Sequence, residues 1–411
     1  MDDDAAPGGI GISWASAFDD LQDALAVAGV GDTIHVARGT YFPTSGVSRT
    51  ATFSIPGGVT LRGGYAGVLA GNPNIRDPQA FPTILSGAIG NATDTDNSYT
   101  IVTASGLSSA VTIEGFTLTG GNANGASPFS ALGRGGAVWI SGVPSVAIHD
   151  CHFEGNQSNG HGGAIYVSTA DLTLTDSSFT DNSSAAGSGG AMYVSFAILL
   201  VRGTSFDVNS ATDGGALLCT ESFCTIVNST FNDNDAGRGG ALLLTESTTE
   251  LVNTTLIGNT AGTAGGAMFH ENGELSLIHT TVMGNHVVSD GGLGGAGSGG
   301  DAEVMESTPT ESLSKETSDS ANAAAKAVGE FSKMLGTFDS SKLAGINPRR
   351  RIRLTASDFW ELNLHKFFSM PENLIGDFTP VFVTFSVACQ PGWRTREGFA
   401  GVVDVVVVIS G

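Results

Sequence analysis

Between Gly135 and Ala267, the tripeptide Gly-Gly-Ala occurs six times at nearly constant spacing. The copies begin at Gly135, Gly162, Gly189, Gly214, Gly239 and Gly265. Successive copies are therefore 27, 27, 25, 25 and 26 residues apart. A second motif, an apolar residue followed three positions later by Asn, keeps the same period. Two motifs that share one period indicate a solenoid, in which each repeat forms one coil and stacks on the next.

The residue types favour a solenoid built from strands. Residues 164–167 and 172–175 are short runs, alternating and rich in β-branched side chains, and Gly, Ser, Asn and Asp bound them. The period is also shorter than that of the helical repeats. We therefore predict three short strands per coil. Because parallel strands stack about 4.8 Å apart, six coils should span about 30 Å.

Two columns of side chains are predicted to face the interior. The apolar column comprises Phe153, Phe179, Phe206, Phe231, Leu256 and Val282. The amide column comprises Asn156, Asn182, Asn209, Asn234, Asn259 and Asn285. These Asn residues recur at a turn, where Asn tolerates a left-handed backbone, and inward amides one coil apart can also hydrogen-bond as a ladder. We interpret both columns as structural.

Gly-Gly-Ala followed by an aliphatic residue, paired with Phe-x-x-Asn, resembles the repeats of chlamydial polymorphic outer membrane proteins and related bacterial surface proteins. The close match covers about residues 116–286, and upstream segments from about residue 10 resemble the opening of such proteins. The resemblance implies a right-handed parallel β-helix of the pectin-lyase-like superfamily. It also implies an extracellular or cell-surface location, although Met1–Asp4 lacks the basic start and apolar core of a signal peptide.

The start of the chain is predicted to form a helix. Phe18, Leu21, Leu25 and Ala28 recur at helical spacing, so residues 16–28 should form an amphipathic helix. A helix laid across the first coil would cover its exposed strand edge and block end-to-end association. The predicted fold class is therefore all-β, a β-helix solenoid with an N-terminal capping helix, followed by a small, mostly β C-terminal domain.

The composition changes sharply near residue 300. The first 300 residues hold 50 of the 58 glycines, no lysine, seven arginines and 26 acidic residues, a net charge of −19. The last 111 residues hold all five lysines and a net charge of −3. Such an acidic rod should repel nucleic acid and anionic membranes. No run approaches the roughly 18 apolar residues of a transmembrane helix.

We divide the chain into four segments. They are residues 1–120, the helix and irregular first coils; 121–288, the regular repeats; 289–336, a Gly/Ser-rich linker with a helix-forming stretch; and 337–411, a small C-terminal domain of unknown type. The last segment is a candidate for attachment to an assembly partner.

Catalysis on a β-helix would need reactive side chains on its outer surface, in addition to the residues that form the repeat. Glycoside hydrolysis uses two carboxylates about 5–10 Å apart, which here means acids in one outward column on neighbouring coils. The best candidates are Asp207, Asp233 and Asp235, which are also the candidates for binding Ca²⁺. His161 lies in a Gly-His-Gly tripeptide that matches polygalacturonases. The other motifs of that family are missing, so a solvent-facing turn residue is the favoured interpretation of His161.

The cysteines leave two alternatives open. A predicted turn separates Cys219 and Cys224, which could form a disulfide or pack as reduced thiols. Cys151 and Cys389 have no evident partner.

Three functions fit these observations. The leading hypothesis is a non-enzymatic secreted or cell-surface β-helix, an adhesin-like protein or spacer stalk with a glycan or cell-surface partner and no cofactor. The alternative is a polysaccharide lyase or glycoside hydrolase of the pectin-lyase-like superfamily, with Ca²⁺ as the conceivable cofactor. The third is a structural component of an extracellular assembly, joined through residues 337–411.

Overall fold

The computed structural model describes residues 1–90, 94–128 and 130–288, together with three strands near the C-terminus. The chain divides into two units, Met1–Ser307 and Thr308–Gly411. Within the described residues, no helix has the length and apolar character needed to span a bilayer. The predicted linker and helix over residues 289–336 lie outside the described residues.

The first unit is a parallel β-helix built from three sheets, with strands numbered here in chain order. Sheet A has 15 strands. They are β1 Thr33–Ala37, β3 Phe53–Ser54, β4 Thr60–Tyr65, β6 Val102–Ser105, β7 Val111–Glu114, β10 Val138–Ser141, β11 Ser145–His149, β14 Ile165–Ser168, β15 Asp171–Thr175, β18 Met192–Ser195, β19 Ile198–Arg202, β22 Leu217–Thr220, β23 Phe223–Val227, β26 Leu242–Val252 and β29 Met268–Ile278.

Sheets B and C are narrower and complete each coil. Sheet B has nine strands: β2 Gly39–Tyr41, β5 Thr83–Ser86, β8 Thr117–Thr119, β12 His152–Glu154, β16 Ser178–Thr180, β20 Ser205–Asp207, β24 Thr230–Asn232, β27 Thr255–Ile257 and β30 Thr281–Met283. Sheet C has seven: β9 Asn122–Ala123, β13 Gln157–Ser158, β17 Ser183–Ser188, β21 Ser210–Asp213, β25 Asp235–Arg238, β28 Thr260–Ala264 and β31 His286–Val287.

A regular coil contains four strands, one more than predicted. Sheet A contributes two strands to the coil, such as β10 and β11, and sheets B and C contribute one each. A residue with positive φ separates the two sheet A strands, for example Thr169 at φ 53° and Phe196 at φ 51°. In β26 and β29 the two halves continue as one strand. The residue at this bend varies between coils, so the period alone did not reveal the division.

The two glycines of each Gly-Gly pair have different structural roles. The first has positive φ in every copy, for example 61° at Gly214, which favours a residue without a Cβ. The second lies where the backbone of the next coil approaches closely. A Cβ on Gly215 would overlap the carbonyl oxygen of Gly240. The alanine that follows is fully buried, as at Ala216.

The predicted apolar column lies on the inner face of sheet B. The rings of Phe153, Phe179, Phe206 and Phe231 are stacked, with centroids 4.5, 4.8 and 4.6 Å apart and interplanar angles of 7° or less. Leu256 and Val282 continue the same register on the next two coils. The ring spacing equals the spacing of parallel strands, so each Phe packs on the Phe one coil away.

The six Asn side chains form a buried ladder between sheets B and C. In the first five, Nδ2 donates to the Oδ1 of the next Asn at 2.8–3.1 Å. The same Oδ1 atoms accept the preceding Asn backbone N–H, and Nδ2 also donates to a carbonyl in the apolar column, as Asn209 does to Phe179. The expectation that Asn itself adopts the left-handed conformation is wrong. The residue before it does so, for example Asp181 and Asp233.

A short helix packs beside the first coils. Helix α1 spans Leu21–Val27, within the predicted range 16–28, and a 3₁₀ turn spans Trp14–Ser16. The Asp20 side chain caps the helix by accepting the Gln22 N–H. Leu21, Ala24 and Leu25 are buried in the apolar core. The helix ends early because Ala28 is extended. Two further 3₁₀ turns span Asp94–Asp96 and Ala131–Gly133.

Three strands are described in the second unit. They are β32 Ile352–Arg353, β33 Val383–Ala388 and β34 Val402–Val407, which form an antiparallel sheet in the order β32, β34, β33. The rest of residues 337–411, including Cys389, lies outside the described residues.

Candidate functional site

The three predicted acidic candidates lie in three different columns. Asp207 is in sheet B, where its neighbour on the next coil is Asn232, whose Nδ2 donates to Asp207 Oδ1 at 2.8 Å. Asp233 occupies the left-handed position before the Asn ladder. Asp235 is in sheet C between Ser210 and Thr260. The structure therefore does not place these carboxylates opposite one another on neighbouring coils.

His161 belongs to an aromatic and basic cluster on the outside of sheet A. Its ring stacks on Tyr193 of the next coil at 4.4 Å between centroids. The guanidinium of Arg134 lies 4.9 Å from the centroid of the Tyr166 ring and donates to its hydroxyl at 3.0 Å. Arg134 and His161 each precede a Gly-Gly pair, and each covers the outward tyrosine of the next coil.

The chemistry of His161 is restricted by its surroundings. Its Nδ1 accepts the backbone N–H of Ser188 at 3.2 Å. Burial, and secondarily the charge of Arg134, lowers the pKa of His161 to about 4. The imidazole is therefore neutral at neutral pH, and its Nδ1 lone pair is already used. This arrangement is that of a packed side chain rather than of a general base.

The outward aromatic rings offer little open face. Trp139, Tyr166 and Tyr193 occupy one outward position on three adjacent coils. The two tyrosine rings are nearly parallel at 6° and 5.4 Å apart, so their faces are turned toward each other along the column. Tyr166 is buried. Stacking a planar ligand on these rings would require the column to open.

The neighbouring column of residues that precede the Gly-Gly pairs, in sheet C, contains one bidentate ion pair. Arg238 donates through Nε and Nη2 to the two carboxylate oxygens of Asp213, each at 2.9 Å. The guanidinium also lies 5.5 Å from the ring centroid of Phe269. This pair links two neighbouring coils, and the Arg238 side chain is 44% exposed, so it contributes modestly to stability.

A second polar cluster, which the sequence motifs do not mark, lies where sheet A turns toward sheet B. Glu114 binds Arg62 at 2.9 Å and Arg76 at 3.0 Å. On the next coil His149 follows Glu114 in register, and its Nδ1 lies 3.6 Å from a carboxylate oxygen of Asp176. Within this cluster both carboxylates therefore have a basic neighbour on an adjacent coil.

Asp150 and Asp176 are equivalent turn residues on neighbouring coils. Both have positive φ, 52° and 49°, and their N–H groups bond to matching carbonyls on the following coils. The Nδ1 of His149 also contacts Thr175 Oγ1 at 2.6 Å. Two carboxylates and an imidazole thus share one outward edge. Shifting the pair 149–150 by one period of 26 residues gives 175–176, which is the signal that could have revealed this group.

Within the described residues, one group of acidic side chains is close enough together to hold a cation. The carboxylates of Asp2, Asp3 and Asp4 lie within 4.8 Å of one another. Asp2 already accepts the N–H groups of Asp4 and Val68, and Asp3 accepts the Tyr41 hydroxyl at 3.2 Å. These hydrogen bonds account for the positions of Asp2 and Asp3 without an ion.

The cysteines of the first unit are all buried. The structure joins Cys219 and Cys224 in a disulfide, which encloses the turn between β22 and β23. Burial raises the pKa of the Cys151 thiol to about 12. Cys151 is therefore protonated at neutral pH, which makes it a poor nucleophile and a poor metal ligand.

Comparison with known proteins supports the β-helix. Residues 86–287 match the family model described as a right-handed β-helix region, which confirms the predicted handedness and fold for the repeats. The A-module of the mannuronan C-5 epimerase AlgE4 from Azotobacter vinelandii is a similar solved structure. It shares 14% identity over 66% of this chain and 94% of that module, with a TM-score of 0.23. That level of similarity supports no functional assignment. No curated protein matches the chain. The resemblance to chlamydial surface proteins stays a prediction.

Proposed function

We propose that the β-helix of residues 1–288 is a non-enzymatic rod at the cell surface or outside the cell, adhesin-like or a spacer. The main support is where the repeated and candidate residues lie and what they bond to. Asp207, Asp233 and Asp235 occupy separate columns, and Nδ1 of His161 is engaged. The polar groups that recur with the period bond from coil to coil rather than converge on a reaction centre.

A rod of this kind is suited to presenting surfaces at a distance. Nine strands stack in sheet B. Eight steps of about 4.8 Å give a length of about 38 Å. The continuous amide ladder resists bending because each coil is bonded to the next through buried groups. The partner would be a glycan or a cell-surface protein, and residues 337–411 would attach the rod to an assembly.

Binding by the intact chain tests this proposal. The labelled protein should bind saturably to a glycan array or to whole cells, and excess unlabelled protein should compete. Because the rod is acidic, we expect heparin, a polyanion, not to bind it. Heparin should therefore reduce binding no more than a simple salt of the same ionic strength does. A linear, non-competable signal on every surface would contradict the adhesin form of the proposal.

A second candidate function rests on the group at His149, Asp150 and Asp176. Residues opposite each other on neighbouring coils are about 4.8 Å apart, close to the carboxyl separation in retaining glycosidases. One carboxyl would protonate the glycosidic oxygen while the other attacks the sugar carbon. This function predicts that Asp150→Asn and Asp176→Asn each abolish release of reducing ends without changing the melting temperature. Activity retained in both variants would exclude this site.

A further inference from the structure

The outward face of sheet A becomes apolar on two coils. Phe196, Ile198 and Phe223 are 55, 36 and 48% exposed. Ile198 and Phe223 are register partners on adjacent strands, and Phe196 lies at the bend just before Ile198. We call these three residues the apolar patch. Half-buried Leu200 and Val227 extend it along β19 and β23.

The patch interrupts the repeat rather than belonging to it. The residues after Phe223 in its column are Thr248 and Glu274. The bend residues that correspond to Phe196 on the next coils are Glu221 and Glu246. Residues that pack the rod recur in every coil, whereas these apolar side chains occur on two coils. Packing of the rod therefore does not explain them.

Phe196 is also unfavourable for the isolated rod. Its φ of 51° lies in the left-handed region, where a bulky side chain is strained. The residue is 55% exposed, so burial does not compensate for the strain. Thr169 and Gly142 occupy the same bend on earlier coils. A contact with another molecule would give this side chain the burial that the rod does not provide.

The charges around the apolar patch indicate the charge of the partner that binds there. Glu221 and Glu246 are exposed beside it at the bend. Arg202, at the far end of β19, is the basic residue among the outward positions of β19 and β23. A second copy of the patch would bring acidic rims together, which disfavours self-association. Basic side chains on the partner would be attracted instead.

The size of the patch limits the partner further. Three outward positions along a strand and two coils span about 14 Å by about 10 Å, on the order of 140 Å². A stable protein interface buries about 800 Å² on each side. The patch is thus sized for a short segment. The disulfide between Cys219 and Cys224 encloses the turn that carries Glu221 and Phe223, which restrains this part of the surface before binding.

We propose that the apolar patch docks a short amphipathic, basic segment of another protein. The apolar side chains of that segment cover Phe196, Ile198 and Phe223, and its Lys or Arg side chains pair with Glu221 and Glu246. The inference goes beyond the rod function, because it holds whether or not the β-helix has enzymatic activity.

The test uses the full chain and three synthetic peptides that alternate leucine with lysine, leucine with glutamate, and serine with lysine. Fluorescence anisotropy should detect binding of the leucine–lysine peptide alone. Ile198→Thr combined with Phe223→Ser should weaken this binding by about tenfold or more. The matched control is Val208→Thr, a change at an exposed apolar residue of another turn, which should alter binding by less than about twofold.

Phe196→Gly separates a binding role from a structural one. Glycine accepts positive φ, so the melting temperature should stay the same or rise while peptide binding weakens about tenfold. The proposal is overturned if the leucine–lysine peptide does not bind at about 1 mM. It is also overturned if the serine–lysine peptide binds equally well, or if binding survives the patch substitutions. A dimer that dissociates on patch substitution would assign the patch to a second copy and overturn the proposal as well.

Discussion

At the scale of single residues, the amide ladder accounts for the recurrence of Asn at one position. The Oδ1 of Asn209 accepts both the backbone N–H and the Nδ2 of Asn182, and its own Nδ2 donates to the Phe179 carbonyl. No other side chain of this size offers both a donor and an acceptor in a fixed plane. Aspartate would lose the donor, and leucine would lose both.

Replacing Asn209 with Leu should therefore destabilise the rod strongly. The change leaves buried N–H groups of Asn182 and a carbonyl without partners, at a cost of about 3 kcal/mol or more. Chemical denaturation monitored by circular dichroism measures it. Asn232→Leu is the matched control, because Asn232 is partly exposed and bonds outward to Asp207, so the free energy of unfolding should change by less than about 1 kcal/mol. Equal effects would contradict the ladder.

Protonation of His161 should destabilise the fold in mild acid. Its pKa is lowered from 6.5 to about 4 in the folded protein, chiefly by burial. The unfolded chain therefore binds the proton first, and stability present above pH 6.5 is lost as the pH falls toward 4. The melting temperature of the wild type should fall more steeply over this range than that of His161→Gln. Identical slopes would show that the imidazole is not held neutral.

At the scale of elements, coil geometry depends on which glycine is replaced. Gly215→Ala should prevent close stacking, because a Cβ there would overlap the Gly240 carbonyl, and we expect a loss of about 3 kcal/mol or more. Gly262→Ala is the control, because its Cβ would keep ordinary contact distances of 3.6 Å or more. Thermal melting compares the two variants. A stable Gly215→Ala protein would argue against this packing of the coils.

The sequence predicted the elements that recur in every coil. Phe206 and Asn209 belong to motifs that repeat six times, so their inward positions follow from the period. The division of the sheet A strand was hidden, because the bend residue changes from Thr169 to Phe196 to Glu221. The group at His149 and Asp176 was missed because no repeated motif marks it, although the one-period offset between residues 149–150 and 175–176 predicts that they are neighbours.

At the scale of the whole molecule, we expect the departures from the repeat, rather than the repeat itself, to carry the function. The repeat forms an acidic β-helix whose side-chain columns bond or pack from one coil to the next. Two features that the packing of the coils does not explain depart from the repeat. They are the apolar patch on β19 and β23 and the group of His149, Asp150 and Asp176.

Enzymatic inertness of the rod is the claim on which the proposed function depends. The full chain should be incubated with a panel of polysaccharides, including uronate-rich ones, with and without Ca²⁺. Unsaturated ends are followed by ultraviolet absorbance and new reducing ends by a colorimetric assay. We predict no product above that of a variant in which Asp150, Asp176 and Asp207 are all replaced by Asn. Turnover by the wild type that this variant lacks would contradict the proposal and establish the β-helix as an enzyme.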